Sequence, residues 1–356
     1  MTSEENNIQD QNNTTEDKAN ADKVKKAIDT YFRHEKIDLL NVPLTELSTI
    51  GPASLQTIHA PLTHPDDEIV GKARELTETI AFLRGEVQDK ALKLQRPEIG
   101  EEEKATAIAR LELAIAQLTE KERLSFLLAR VNEDAQALLL RSEAFRKKFL
   151  DLSECEAFVM SVDIRRSTEL MLKARSPELF AQFITTLCKD LEEVIKANYG
   201  VFDKFTGDGV MAFFPMFFSG EDAAYHVIAT ADESHRIFQR RYREFRSSFT
   251  SVLNDVGLGI GIDFGPTHLV QMAGGLTVVG ASVVYACRMA GGPAGKTLLN
   301  QPAYEKVSSQ LSGYCFLNET ELSIKNEGAT LAYEVRLNKK EYLPMRPDWV
   351  ISEEPT

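Results

Sequence analysis

Apolar side chains recur along this chain in two rhythms, and the change from one to the other divides it. Ile69, Ala73, Leu76, Ile80, Leu83, Val87 and Leu94 stand four and three apart, with a lapse at Lys90. Ile108, Leu111, Ile115 and Leu118 repeat the spacing. After a phase slip, Leu124, Leu128, Val131, Ala135, Leu138, Phe145 and Phe149 resume it. Such spacing marks one face of an α-helix. It predicts two long helices, parted where Pro97 and Gly100 break the chain. The seam has two readings: an antiparallel hairpin packed on its own domain, or a dimerisation element.

From Glu156 the rhythm shifts. A strand over 157–162 precedes a helix from Pro177 to Ala197, whose inner side carries Leu179, Phe180, Phe183, Ile184, Leu187, Leu191, Val194 and Ile195. A β-hairpin over 201–214 and a helix over 220–245 follow. Val256–Ile262 reads as a Gly-rich strand, turned at Phe264-Gly-Pro266 into Leu269–Met272. A helix from Ala281 to Met289 ends at Gly291–Gly295, and strands at Thr297–Leu299, Phe316–Leu317 and Leu331–Val335 complete the sheet. This order predicts an α+β fold, a mixed β-sheet covered by helices. Upstream, residues 1–20 are polar enough to form a disordered tail. A short helix is expected from Ala21 to about Arg33, and an irregular Pro-rich connector from Asn41 to His64. The expected divisions are residues 1–20, an all-helical N-terminal region over 21–150, the α+β domain over 156–338 and a C-terminal tail over 339–356.

Length and charge narrow the classes. With 356 residues the chain has room for two domains. Its 54 acidic against 41 basic residues give a net charge of −13, which argues against a nucleic-acid coat or an anionic-membrane binder. The four cysteines, Cys155, Cys188, Cys287 and Cys315, are scattered without a C-x-x-C pair; three of the four sit in apolar patterns, so reduced core thiols are expected there rather than disulfides or zinc. The N-terminus lacks signal-peptide character. The longest apolar run, Val210 to Phe218, contains Pro215 and is too short to span a bilayer. A cytoplasmic protein without membrane insertion is expected.

Two aspartates suggest chemistry. Asp163 follows the apolar run Ala157–Val162, and Asp208 sits in the Gly207-Asp208 turn of the hairpin, which begins three residues after Lys204. Carboxylates at the exits of two buried strands suit hard cations such as Mg²⁺ or Mn²⁺, and a triphosphate supplies further oxygens. Each residue also has a plainer reading. Asp163 alone fits a helix N-cap and Asp208 a turn. Lys204 fits a solvated strand position, although Val201, Phe202 and Phe205 around it favour an inward role. Arg288 fits an ion pair, Arg165 and Arg166 surface charge, and His235 and His268 structural positions.

Ser161-Val-Asp-Ile-Arg-Arg-Ser-Thr168, Lys204-Phe-Thr-Gly-Asp208, Gly259-Ile-Gly-Ile-Asp-Phe-Gly265 and Val279-Gly280 through Ala286-Cys-Arg288 resemble, in order and spacing, class III nucleotidyl cyclases. The resemblance runs from about Glu156 to Val335. With the helical N-terminal region, it looks most like the bacterial pyrimidine cyclases of the Pycsar antiphage system. It implies a class III cyclase-like sheet and two metal ions, Mg²⁺ or Mn²⁺, per site. Asp163 and Asp208 would be the metal-binding aspartates, and Ile164 would add a carbonyl. Arg165, Arg166, Ser167 and Thr168 would hold the phosphates. Lys204 and Thr277 would contact the base, Arg288 would steady charge on the α-phosphate, and Lys325 would bind the triphosphate. The resemblance also implies a homodimer with composite sites, one domain giving the aspartates and the other Lys204, Thr277 and Arg288. The sequence departs from the family at Val284, where an Asn is usual, at Arg166 (Gly), at Ser167 (Phe) and at Thr277, where adenylyl cyclases commonly have Asp.

Hydrogen-bonding chemistry at Lys204 and Thr277 accommodates adenine, uracil or cytosine, because a hydroxyl both donates and accepts. The resemblance favours a pyrimidine, UTP before CTP. The expected product is a cyclic UMP or cyclic CMP messenger, read by a separate cyclic-nucleotide-binding effector. The alternatives are a bacterial adenylyl cyclase and a catalytically inactive, cyclase-like regulatory dimer.

Overall fold

The computed structural model describes residues 64–94, 101–150, 154–272, 275–324 and 328–351. The expected tail over 1–20, the short helix after it, nearly all of the connector and Lys325 lie outside the described residues. The chain divides into two compact units. One comprises Glu154–His268 and the chain from Val278 onward; the other holds the helices before Glu154 together with Leu269–Thr277.

The helical unit contains α1 (Asp67–Leu94), α2 (Glu101–Leu128), α3 (Glu133–Arg141) and α4 (Glu143–Leu150). On α1 the expected seam is buried at Ile69, Leu76, Ile80 and Leu83. Arg84 donates from Nε to Glu122 on α2 at 2.9 Å, tying the two helices together. Two expectations are corrected here. The second long helix stops at Leu128, because Asn132 caps a new one: its side-chain oxygen accepts from Ala135 N at 3.0 Å. The restart rotates the apolar face, so Leu139 is fully buried where Leu138 is not. On α2, Ile108 and Ile115 of the seam are exposed.

The second unit is the mixed sheet expected of the α+β fold. Its elements are β1 (Cys155–Arg165), α5 (Ser167–Leu172), α6 (Pro177–Ala197), β2 (Val201–Phe205), β3 (Gly209–Pro215), α7 (Met216–Ser219), α8 (Ala223–Glu244), β4 (Gly257–Met272), β5 (Gly275–Val279), α9 (Ala281–Ala290), β6 (Lys296–Leu299), α10 (Gln301–Leu311), β7 (Cys315–Ile324), β8 (Gly328–Leu337) and α11 (Asp348–Ile351). The strands run β2-β3-β1-β4-β6-β8-β7, with β5 paired to β4. Only the β4–β6 pair among those along this path is parallel. β4 runs straight through Gly265-Pro266 instead of turning there. Pro266 stands opposite Glu156 of β1 and past the end of β6, whose pairing stops at Ile262, so its missing N–H breaks no bond to β6.

The sheet buries one face under α6, α8 and α10. Phe158, Met160, Val162 and Ile164 of β1 lie in that core with Ala212, Val210 and Ile260. Phe183 of α6 sits at its centre, edge-on to Phe238, Tyr242, Phe245 and Phe249. Each fully buried side chain of this size stabilises the fold by about 1.5–3 kcal/mol. The segment after β8, expected as a tail, also docks on this unit. Trp349 stacks on Phe218 at 5.1 Å and donates Nε1–H to its carbonyl at 2.7 Å.

The other face carries the alternate residues of β1, including Ser161 and Asp163. Their register partners on β4 are Gly261 and Gly259. Here α9 lies directly on the strand. A Cβ at Gly261 would stand 2.0 Å from Ala286 O, and one at Gly259 2.3 Å from Ala290 O. Gly261→Ala is therefore expected to cost about 3 kcal/mol by overpacking. Gly265→Ala, whose Cβ meets nothing within 4 Å, should leave stability within about 1 kcal/mol. The denaturant midpoints of the two variants check this.

His235 on α8 pairs its Nε2 with Thr297 Oγ1 at 3.0 Å. Burial pushes its pKa down from 6.5 to about 4. The folded state thus resists protonation: the stability is fully present above pH 6.5 and is lost as pH falls towards 4. The loss should reach about 3 kcal/mol at the acid end. His235→Gln should flatten the pH-stability curve relative to the wild type over that window.

Candidate active site

Asp163 and Asp208 meet because three strands end unevenly. β1 pairs with β3 only as far as Asp163, opposite Gly209, yet pairs with β4 to Arg165. Ile164 and Arg165 therefore overhang β3. The β2–β3 turn folds into this notch. Gly207 takes φ +98, a positive φ that glycine adopts at no steric cost, and Thr206 N donates to Gly209 O at 2.9 Å. A Cβ at Gly209 would lie 1.9 Å from Val162 O, so only glycine lets the turn approach β1 this closely. That contact also fixes directions. Val162 turns its carbonyl towards β3, and by the two-residue period Ile164 turns its own towards the same edge, beyond the end of β3.

Asp163 is half-buried, and its carboxyl sits above the ordinary carboxylate range. Burial is the main cause and the neighbouring Asp208 charge adds to it, while Arg165 pulls the other way. Arg165 Nη1 donates to Asp163 Oδ2 at 2.5 Å. The Arg165 side chain reaches there across Gly259 of β4, where a Cβ would lie 2.7 Å from its Cδ.

The next residue, Arg166, takes φ +63 and ψ +30 at the start of α5. It donates to Glu169 Oε2 at 2.8 Å and to Asn254 O at 2.5 Å. A side-chain-bearing residue in this region costs about 1–2 kcal/mol, and an exposed ion pair returns about 0–1 kcal/mol. Ser167 and Thr168 form the first turn of α5, Ser167 half-buried and Thr168 exposed.

Lys204 reaches the same face of the sheet as Asp163 through a β-bulge. Phe202 pairs with Ala212 but Lys204 pairs with Met211, so Asp203 is the extra residue. In unbroken alternation Lys204 would share the core side with Phe202. The bulge turns it over, onto the row of Met211, Ser161 and Gly261. Asp203 itself is buried, with its carboxylate 3.3 Å from Lys204 Nζ. Asp203 was not foreseen from the sequence. Its signal was the spacing of Phe202 and Phe205, three apart yet packed on the same side with rings 4.7 Å apart, which a regular strand forbids.

Arg288 lies on α9, above this same face. Ala286 and Ala290 are buried, while Val284 and Arg288, one turn apart, occupy another side of the helix. The Arg288 guanidinium carbon lies 5.0 Å from the centre of the Tyr285 ring. Thr277 lies on β5, at the last residue of that strand to be grouped with the helical unit, the division falling between Thr277 and Val278.

No family model matches the chain, and no curated protein matches it. Several solved structures are similar to it. The adenylyl cyclase CyaB from P. aeruginosa aligns with 54% of this chain and 98% of its own, at 18% identity and a TM-score of 0.46. The guanylyl cyclase Cya2 aligns with 52% and 94%, at 18% identity and 0.45. The guanylate cyclase domain of RhGC from Catenaria anguillulae, in complex with GTP, aligns with 53% and 100%, at 17% identity and 0.41.

The strain at Arg166 is directly testable. Arg166→Gly should stay within about 1 kcal/mol of the wild type, because relief of the left-handed backbone offsets the lost ion pair. Arg166→Ala keeps the strain and loses the contacts, so it should be less stable than the Gly variant by about 1 kcal/mol. Thermal or urea unfolding of the pair reads the difference.

Proposed function

We propose that the chain is a nucleotidyl cyclase that closes a nucleoside triphosphate to its 3′,5′-cyclic monophosphate and releases pyrophosphate. The observation that carries this reading is the meeting of Asp163 and Asp208 in the notch at the end of β1, with the Ile164 carbonyl turned to the same edge. Among the described residues no group of three or more His, Cys, Asp or Glu side chains is arranged to hold a metal. The notch is therefore a partial shell of hard oxygens, which fits Mg²⁺ or Mn²⁺ only when a triphosphate completes it. Such ions, two per site, would neutralise phosphate charge and lower the pKa of the ribose 3′-hydroxyl.

The remaining work falls to the chain. Arg165, Arg166, Ser167 and Thr168 line the turn where the β- and γ-phosphates would rest. Arg288 donates to the α-phosphate oxygens as the 3′-oxygen attacks and pyrophosphate leaves. Lys204 and Thr277 meet the base, and Lys325 the triphosphate. The active form is a homodimer: the aspartates of one copy work with Lys204, Thr277 and Arg288 of a second copy. The base is a pyrimidine, UTP before CTP, as the resemblance of the four motifs favours. The cyclic product is a cytoplasmic antiphage messenger for a separate effector protein. Val284, 47% exposed on α9 where the resembling family has Asn, favours a second reading, an inactive regulatory dimer.

Purified protein with Mn²⁺ and each of ATP, GTP, CTP and UTP, with products resolved by chromatography, tests the proposal. Cyclic UMP or cyclic CMP is expected, and at least a hundredfold less from Asp163→Ala, on the order of what removing one charge-stabilising group costs. Cyclic AMP would make the chain an adenylyl cyclase. Nucleotide binding without any product would leave the regulatory dimer. Mixing Asp163→Ala with Arg288→Ala should restore part of the activity, since one site of each mixed dimer is then intact.

A further inference from the structure

A carboxylate buried in a sheet is costly unless it is paired. Asp203 is 2% exposed. It also occupies the one extra position of the β2–β3 ladder, so the sheet makes room for it by a break in register. Its carboxylate lies 3.3 Å from Lys204 Nζ, and the two side chains differ sharply in access: Asp203 is 1% exposed and Lys204 35%. The buried partner is held by the strand, while the exposed partner carries a long flexible stem.

We propose that Asp203 is a positioning residue that fixes the Lys204 ammonium as a charged donor aimed along the sheet face for the substrate base. The inference rests on Lys204 contacting the base, as proposed above. A lysine left to itself spreads its charge over many rotamers and loses that freedom on binding. One already anchored by a buried carboxylate loses less. An ammonium carries three donors and no acceptor, so at this point it can only donate. Lys204 would then select a base edge that presents an acceptor at that point and reject one that presents an N–H. The bulge and the carboxylate act together: the first turns Lys204 out of the core, and the second holds it where the turn leaves it.

The test is a double-mutant cycle on the full chain with Mn²⁺. Calorimetry reads the binding of 3′-deoxy-UTP and 3′-deoxy-ATP, which lack the attacking hydroxyl, to the wild type, Asp203→Asn, Lys204→Ala and the double variant. Asp203→Asn is expected to weaken binding of the preferred nucleotide by about 5- to 20-fold and to narrow the preference between the two. In the Lys204→Ala background the same change should cost less than twofold, because nothing is left to position. Asp203→Glu should recover part of the loss. Additive losses, or an unchanged preference, would reduce Asp203 to a structural residue and overturn the proposal. Should Asp203→Asn not fold, acetylation of the wild type decides: Lys204 should react several-fold more slowly than the exposed Lys340, and equal rates would overturn the pairing. A wild type that binds and cyclises nucleotide while the losses add would sink this inference alone. A wild type that binds neither nucleotide would sink the cyclase reading, and this inference with it.

Discussion

Backbone-to-backbone contact is the constraint on which the rest of the sheet unit depends. α9 rests on β4 at Gly259 and Gly261, and the β2–β3 turn rests on β1 at Gly209. At each place a single methyl group would collide with a main-chain atom, and main chain in a helix or sheet cannot swing aside as a side chain does. These contacts set where the functional groups stand. The first brings the helix bearing Arg288 down onto the sheet face, and the second brings Asp208 to Asp163. Glycine in a strand interior costs conformational entropy, and here that cost is repeated along one strand. The return is a flat seat for a helix on a face that elsewhere carries polar groups.

The two faces of the sheet are accordingly built from different materials. The face under α6, α8 and α10 is a continuous apolar core around Phe183. The face under α9 carries Asp163, Lys204 and the arginine helix. One strand, β1, serves both by simple alternation, with Val162 and Ile164 inward to the core and Asp163 and Arg165 opposite. β2 manages the same division only by breaking step at Asp203. Charge on the face under α9 is kept in check locally. Arg165 spans from one side of the glycine seat to Asp163 and offsets part of the repulsion from Asp208.

The sequence made the regular parts of this arrangement legible. α6 reads directly from its apolar stripe, and Ser176 accepting from Leu179 N at 3.3 Å, with Pro177 behind it, marks its start. The β1 strand and the hairpin were equally plain, because buried strands between polar turns leave a strong pattern. What stayed hidden depends on contacts between distant residues. Gly265-Pro266 looked like a turn, but β1 pairs straight along it. The periodic run after Leu118 looked like one helix, but Asn132 caps a new helix within it. Arg166 was legible as a departure from the cyclase pattern, though not as a left-handed residue. The aspartates were found by type and position; the notch that joins them was not, since it depends on how far β3 reaches along β1.

The departures from the resembling family sort by the same physics. Arg166 replaces glycine at a position whose backbone is left-handed, so the substitution adds strain and spends the side chain on Glu169 and the Asn254 carbonyl. That change touches the geometry of the turn but not the oxygens of the notch. Val284 differs in kind. It lies on an exposed side of α9, one turn before Arg288, and a valine there neither donates nor accepts a hydrogen bond. The backbone that carries it is still pressed onto Gly261, so the loss is of a hydrogen-bonding group and not of the platform.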